Sequence, residues 1–196
     1  MTTADSGHEL SVKVVASDGA TSVAAVSDPV TALSIDVRGC TTPSGQLAAR
    51  SVGDVRLGMT RVAARRLVAS TQRPNGYTDN VCLAGGYGIR VGYGTRKTLG
   101  HETLWHSLRA RIVFATTANP YYSLDGVSPG MNVASDAKCL HLSRALHIGA
   151  NTWYVIRGTK ANEVLKVRAG VIQEIGILNR SLTSTRAGQG LLLRFF

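Results

Sequence analysis

Cysteine and histidine are the side chains of this sequence that could carry covalent or metal chemistry, and their spacing limits what they can do. Cys40, Cys82 and Cys139 lie far apart and form no Cys-x-x-Cys pair, which argues against a structural zinc site. Cys82 and Cys139 are interpreted most simply as small, buried apolar residues. If the protein is exported, one disulfide and one free thiol could form, and Cys40 with Cys82 is then the pair that we favour.

The histidines form no recognised metal-binding or catalytic pattern. His101 and His106 are five positions apart, and His141 and His147 are six apart, whereas a helical zinc pair needs positions i and i+4. A pair of Cys139 with a histidine would lack an orienting carboxylate, and the nucleophile elbow Gly-x-Ser-x-Gly does not occur. We therefore predict that the protein is not an enzyme and uses no cofactor and no metal ion.

The charge of the chain favours anionic partners. The formal net charge is +10, and 17 of the 22 basic residues are arginine, which makes bidentate contacts with carboxylate and phosphate groups. The arginines are scattered over residues 50–196, and no zinc-finger, basic-zipper or ribonucleoprotein signature accompanies them. This pattern predicts non-specific affinity for polyanions but not specific nucleic-acid recognition. No run approaches the ~20 apolar residues of a transmembrane helix.

Two similar phrases indicate where helices begin. Val55–Thr60 (Val-Arg-Leu-Gly-Met-Thr) recurs 72 residues later as Val127–Asn132 (Val-Ser-Pro-Gly-Met-Asn). Thr60 and Asn132 are good N-caps, because a side-chain oxygen can accept a hydrogen bond from a backbone N–H of the first helical turn. Helix-forming residues follow both caps, so the pattern predicts two helices.

Each predicted helix is followed by runs with the alternation of β-strands. These runs are residues 79–83, 87–93 and 111–116 after the first helix, and residues 152–156, 164–168 and 171–177 after the second. Ala169-Gly170 separates the last two runs and predicts a tight hairpin turn. The predicted fold class is therefore α+β, with two tandem helix-plus-antiparallel-sheet units, residues 51–123 and residues 124–196, the second with a C-terminal helix.

Residues 1–50 differ from the rest of the chain in charge and composition. Apart from Arg50 at the junction, they hold two basic and five acidic residues, a net charge of −3, whereas residues 51–196 hold 19 basic and seven acidic residues, a net charge of +12. Small and polar residues dominate, and aromatic residues are absent. This composition predicts a flexible N-terminal arm, in which Val30–Val37 alternates well enough for a possible edge strand.

The segment Gly58-Met59-Thr60, opening a helix before an antiparallel meander, resembles the domain of the small outer-membrane-assembly lipoproteins of the SmpA/OmlA type. Two such units resemble the secreted beta-lactamase inhibitor proteins, whose halves each lay a helical segment on a small antiparallel sheet. Residues 124–196 also resemble the C-terminal part of uncharacterised secreted bacterial proteins, with Gly-Val-x-Pro-Gly at 126–130, Asn-x-Trp-Tyr at 151–154 and Leu182-Thr183. The resemblance covers residues 52–196 and implies a tandem repeat that binds protein.

The predicted function is that of a non-enzymatic macromolecule-binding module, with an unknown protein partner at the cell envelope or outside the cell. The alternative is a basic protein that binds nucleic acid or an anionic surface. Residues 1–5 lack the features of a secretory signal. Either the protein is intracellular or a leader precedes Met1, and in the second case an extracellular or envelope location is favoured.

The predicted contact lies on the faces of the sheets. Its aromatic residues are Tyr87, Tyr93, Trp105, Trp153 and Tyr154, and its ion-pairing residues are Arg90, Arg157 and Arg168. Each aromatic side chain has a position in the core as an equal alternative. The loop of residues 94–107 around Trp105 is interpreted first as a mobile excursion and second as an aromatic and basic contact surface.

Overall fold

The protein is described by a computed structural model that covers residues 9–31, 40–45, 47–67, 70–75, 77–84, 86–99 and 106–195. The chain divides into two compact units between Arg38 and Gly39. Trp105 and most of the predicted edge strand at 30–37 lie outside the described residues.

The described part of the N-terminal unit contains two antiparallel strand pairs. They are β1 (Glu9–Leu10) with β4 (Val30–Thr31), and β2 (Lys13–Ser17) with β3 (Ser22–Val26). A carboxylate oxygen of Asp18 closes the β2–β3 turn by accepting a hydrogen bond of 2.8 Å from the N–H of Thr21. Every residue of β2 and β3 is exposed, so this hairpin gains little stability from burial.

From Cys40 onward, the described residues form strands that short helices and turns connect. The strands are β5 (Leu47–Ala48), β6 (Ser51–Val52), β7 (Val55–Arg56), β8 (Ser70–Asn75), β9 (Thr78–Val81), β10 (Ile89–Tyr93), β11 (Ile112–Thr117), β12 (Leu146–Ile148), β13 (Asn151–Ile156), β14 (Asn162–Arg168) and β15 (Val171–Leu178). The helices whose two ends fall among the described residues are α1 (Arg61–Leu67), α2 (Arg96–Leu99), α3 (Val133–Asp136) and α4 (Arg186–Leu193). The longest of these, α4, has eight residues, little more than two turns.

The larger sheet contradicts the predicted fold class. In the described part of the chain, eight strands form one antiparallel sheet in the order β12-β13-β14-β15-β11-β10-β9-β8. The protein is therefore mostly β, and the prediction of an α+β fold with two tandem helix-plus-sheet units is wrong. The two predicted units form one sheet because β11 pairs with β15, from Phe114 opposite Leu178 to Thr117 opposite Ile175. Two separate sheets would leave these two strand edges without backbone partners.

Gly176 lies in the middle of this β11–β15 seam. It is paired with Thr116, and a Cβ added at Gly176 would collide with the carbonyl oxygen of Ala115. The absence of a side chain therefore allows the two strands to approach closely.

The two Gly-Met phrases make equivalent backbone contacts within this one sheet. In the first phrase, the N–H of Gly58 donates to the carbonyl oxygen of Ile112, and the N–H of Ile112 donates to the carbonyl oxygen of Met59, both at 2.8 Å. The second phrase makes the same two bonds with Ile172, at 2.8 and 2.9 Å. Each phrase thus joins the chain before a helix to the beginning of β11 or β15.

Both predicted N-caps are confirmed. The side chain of Thr60 accepts a hydrogen bond of 3.2 Å from the N–H of Ala63. Asn132 accepts one of 2.9 Å from the N–H of Ala134. Because an unpaired N–H of the first turn would otherwise need water, these bonds help to fix where α1 and α3 begin.

Both faces of the larger sheet are covered by other parts of the same unit. One face packs against the β5-β6-β7 sheet, α1 and the segment before β12, with buried residues that include Val52, Leu57, Tyr122, Leu140 and Ile175. The other face packs against α4, with buried residues that include Phe114, Trp153, Leu178, Leu192 and Leu193. All six residues of β11, at the centre of the sheet, are consequently buried.

Candidate binding surface

The structure separates the aromatic residues that were predicted to contact a partner. Trp153 and Tyr93 are only 1% and 2% exposed, Tyr154 is half-buried, and Trp105 lies outside the described residues. Tyr87 is 66% exposed. For Trp153 and Tyr93 the alternative position in the core fits their burial, because a side chain with almost no accessible surface cannot contact another molecule without rearrangement.

Arg90 belongs to an ionic cluster on the sheet face that also holds Trp153. Glu174 accepts hydrogen bonds of 2.6 Å from Arg90 Nη2, Lys166 Nζ and Thr116 Oγ1. Burial raises the pKa of Glu174, but the charge of Arg90 and the hydrogen bonds from Lys166 and Thr116 outweigh burial, and the pKa lies below its usual value. The carboxylate therefore stays ionised and engages Arg90 within the fold.

Aromatic rings support both cations of this cluster. The guanidinium carbon of Arg90 lies 5.4 Å from the ring centroid of Phe114, and Lys166 Nζ lies 5.6 Å from that of Trp153. The rings of Phe114 and Trp153 meet edge to face at 6.4 Å. These cation–π and aromatic contacts bring Arg90 and Trp153 into one packed layer across β10, β11, β14 and β13.

The other two predicted arginines lie apart from this layer. Arg168, at the end of β14, is exposed, and its Nε donates to Asn151 Oδ1 at 3.2 Å. Arg157 is also exposed and follows Ile156, which pairs with the first part of β14, so it lies near the opposite end of that strand. The predicted residues do not share one continuous surface, and their role in binding stays a prediction.

Tyr93 belongs to a second ionic network, between β9, β10 and α1. Asp79 accepts hydrogen bonds from Arg61 Nη2 at 2.7 Å, Arg65 Nε at 2.8 Å and the Tyr93 hydroxyl at 3.1 Å. Burial raises the pKa of Asp79, but the bonds and charges of the two arginines outweigh it and hold that pKa well below its usual range. Burial, reinforced by the neighbouring carboxylate, raises the pKa of Tyr93. This network fixes α1 to the sheet.

The loop before β10 presents Tyr87 at one end of the sheet. Tyr87 has a φ of +49°, a backbone conformation that is costly for a residue with a side chain. Thr117 Oγ1, at the end of β11, donates to the carbonyl oxygens of Tyr87 at 3.4 Å and Gly88 at 3.2 Å. A Cβ at Gly88 would collide with the carbonyl oxygen of Val81, so glycine allows the loop to pack closely on β9. The backbone around Tyr87 is therefore fixed from two sides.

The turn after β11 exposes a second tyrosine, Tyr121, which the sequence patterns did not identify. Asn119 Oδ1 accepts a hydrogen bond of 2.9 Å from the N–H of Tyr121, and the N–H of Asn119 donates to Thr117 Oγ1 at 3.1 Å. This turn leaves Tyr121 67% exposed and Tyr122 fully buried. The Asn119-Pro120 turn signal before two tyrosines could have indicated it, because a turn sends successive side chains in different directions.

A disulfide braces the same end of the sheet. Cys40 and Cys82 are bonded, which confirms the favoured pair, and Cys139 is free and exposed. Next to the disulfide, Thr41 pairs with Leu83 in an isolated bridge. The segment that begins at Cys40 is thereby attached to the end of β9.

These contacts join three segments, which we call the tyrosine end: residues 40–45, residues 82–88 without Gly85, and residues 117–122. The segments meet directly, since a Cβ added at Gly45 would lie 2.9 Å from Tyr121 Cε1. The tyrosine end therefore presents two exposed phenol rings on a backbone that hydrogen bonds and a disulfide hold in place.

Phenol rings and hydroxyl groups suit non-covalent contact with another molecule. Over the ranges that the structure describes, no three His, Cys, Asp or Glu side chains are arranged to hold a metal ion. Over the same ranges, no helix combines the length and apolar character that crossing a bilayer would need. Comparison of the chain with protein-family models, with curated proteins and with solved structures found no match.

Proposed function

We propose that the protein is a non-enzymatic binding module whose partner is another protein, at the cell envelope or outside the cell, and that the tyrosine end makes the contact. The observation that supports this is the exposure of Tyr87 and Tyr121, at 66% and 67%, on braced segments of backbone. Tyrosine is among the few residue types that supply most of the binding energy at protein interfaces.

The bracing lowers the entropic cost of binding. Immobilising a flexible side chain at an interface costs about 0.5–1.5 kcal/mol, whereas tyrosine has only two side-chain torsions to lose. The backbone of both tyrosines is already fixed through Thr117 and Asn119. Tyr87 also keeps its left-handed conformation although a glycine stands on each side of it, and such retained strain is typical of functional loops.

The disulfide supports the proposed compartment. Disulfides persist in secreted, periplasmic and cell-surface proteins, because cytosolic thiols are kept reduced. The Cys40–Cys82 bond lies in the tyrosine end itself, so the shape of the proposed contact depends on an oxidising environment. A partner in the envelope or outside the cell is consistent with this requirement.

Site-specific photocrosslinking tests the proposal. Benzoylphenylalanine replaces Tyr87 or Tyr121 in the whole chain, expressed in cells of the source organism, and replaces the exposed Lys138 as a control. We expect both tyrosine positions to yield the same discrete adduct with one protein and the control to yield none. The absence of an adduct from either tyrosine position, or equal adducts from all three, would contradict the proposal.

The remaining residues predicted from the sequence are not needed for this contact. Arg90 and Trp153 belong to the packed layer around Glu174, and Tyr93 belongs to the Asp79 network. The alternative function, binding to nucleic acid or an anionic surface, would depend on basic side chains at the end of β10 that lies away from Tyr87.

A further inference from the structure

We infer that a second surface of the same unit binds the anionic headgroups of phospholipids at a membrane surface, independently of the tyrosine end. Six exposed cations define this surface, which we call the basic end: Arg50, Arg56, Arg96, Lys97, Arg109 and Arg111. β10 begins two residues after Tyr87 and ends next to Gly94, and β11 returns antiparallel to it. The basic end and the tyrosine end therefore lie at opposite ends of these strands.

Hydrogen bonds to backbone carbonyl oxygens bring the cations together from separate segments. Arg111 Nη1 donates to the carbonyl oxygen of Gly58 at 2.8 Å, which joins the start of β11 to the end of β7 and its Arg56. The N–H of Ala110 donates to the carbonyl oxygen of Gly94 at 2.9 Å. That bond joins the start of β11 to the end of β10. The helix α2 begins two residues after Gly94, with Arg96 and Lys97.

Cations outnumber carboxylates among the described residues around this end of the sheet. Among the described residues of 47–67 and 86–117, the single carboxylate is that of Asp54, which lies in the β6–β7 turn on the side of the tyrosine end. Asp79 on β9 is buried and already paired with two arginines of α1. Over these described residues the basic end therefore carries a net positive charge, which attracts a polyanionic surface.

Partly exposed apolar side chains accompany the cations, which suits a membrane surface. Val62, on α1, is 61% exposed. The rings of Tyr77 and Phe195, both half-buried, lie 6.0 Å apart, and Lys97 Nζ lies 6.0 Å from the centroid of Tyr77. Cationic and aromatic side chains together favour the boundary between the headgroups and the hydrocarbon of a bilayer.

Two observations favour lipid over nucleic acid as the source of the phosphate groups. The Cys40–Cys82 disulfide indicates an oxidising compartment, where anionic membranes offer a continuous phosphate surface. The sequence also lacks a nucleic-acid recognition signature. Each cation near an anionic membrane raises the partition coefficient about five-fold, so the basic end would support a reversible, salt-sensitive attachment.

Vesicle flotation with the whole chain tests this inference. The vesicles contain phosphatidylcholine alone or phosphatidylcholine with phosphatidylglycerol. The test variant is Arg56→Gln with Lys97→Gln, and the matched control, Lys138→Gln with Arg144→Gln, removes the same two kinds of charge from exposed positions outside the basic end. We expect the wild type and the control to float only with anionic vesicles, and the test variant to partition about twenty-five-fold less.

If the test and control variants lose binding to anionic vesicles equally, net charge alone accounts for the binding and the inference is overturned. Flotation of the wild type with neutral vesicles would also overturn it, as would binding to duplex DNA that is tighter and depends equally on Arg56 and Lys97. If the test variant does not fold, the wild type provides the test, because partitioning must fall as salt is added. Tyr87→Ala with Tyr121→Ala keeps every charge, so it should float normally whether or not the proposed protein contact exists.

Discussion

Removal of the disulfide should destabilise the protein by roughly 4 kcal/mol. The bond joins Cys40 to Cys82, which are 42 positions apart. Closing a loop of this length removes about 13 cal/mol/K of entropy from the unfolded chain, which corresponds to roughly 4 kcal/mol at 25 °C. For a protein with an ordinary total stability of about 5–15 kcal/mol, that loss would be a large fraction.

Urea unfolding of the variant Cys40→Ala with Cys82→Ala measures this loss. The variant should unfold at a lower urea concentration than the oxidised wild type, with free energies compared by linear extrapolation. Cys139→Ser is the matched control, because Cys139 is exposed and unpaired with another cysteine, and its effect should stay within about 0.5 kcal/mol. Thiol titration in urea should find one reactive thiol in the wild type before reduction.

Two results would refute this reasoning. A loss below about 1 kcal/mol in the double variant would contradict the estimate from loop closure. Three reactive thiols in the unreduced, denatured wild type would show that the bond does not form, and would remove the support it gives to an oxidising compartment.

Two further substitutions test the sheet. Glu174→Gln should destabilise the protein by about 2 kcal/mol at pH 7. This is less than removing one partner of a fully buried ion pair would cost, because the cluster is partly exposed. Gln173→Ala, at the exposed neighbouring position, should change the stability little. The native pKa of Glu174 lies below its unfolded value. Its contribution to the free energy of unfolding is therefore present above about pH 4.3 and is lost as the pH falls. A stability difference between Glu174→Gln and the wild type that does not shrink in acid would contradict this. Gly176→Ala should destabilise the protein by about 3 kcal/mol, because the added Cβ would collide with the carbonyl oxygen of Ala115. Gly190→Ala in α4 is the control, and it should be neutral or stabilising because nothing lies within 4 Å of the added Cβ. Equal losses of stability in the two variants would contradict the close approach of β11 and β15.

Local patterns predicted individual elements more successfully than their arrangement. The run 171–177 is observed within β15, and the predicted turn at Ala169-Gly170 joins it to β14 with φ angles of +48° and +79°. Alternation and turn chemistry are properties of a few adjacent residues, so the sequence displays them directly. The pairing of β11 with β15 depends on two strand edges that are distant in the chain, and no local pattern identifies which edges will meet.

The candidate site was predictable to a similar extent. The run 87–93 predicts that Tyr87 lies on a sheet face, whereas the structure places it in the loop before β10. The Cys40–Cys82 pair is the disulfide that the sequence favours. Trp153 and Tyr93 lie on alternating runs, which predict a position on a sheet face but not whether that face is covered. Both faces of the sheet are covered by elements whose positions the sequence does not display. No alternating run includes Tyr121, which lies in the turn after β11.

The position of β15 in the sheet also sets an order of events during synthesis. β11 can pair with β10 as soon as both have left the ribosome, but its other edge must wait for β15, which begins 54 residues after β11 ends. At about 5–20 residues per second, translation takes roughly 3–11 s to supply that partner. During this interval the strand that becomes fully buried at the centre of the sheet has an unsatisfied backbone edge, so nascent chains that stall before Val171 should be the ones that recruit chaperones or aggregate.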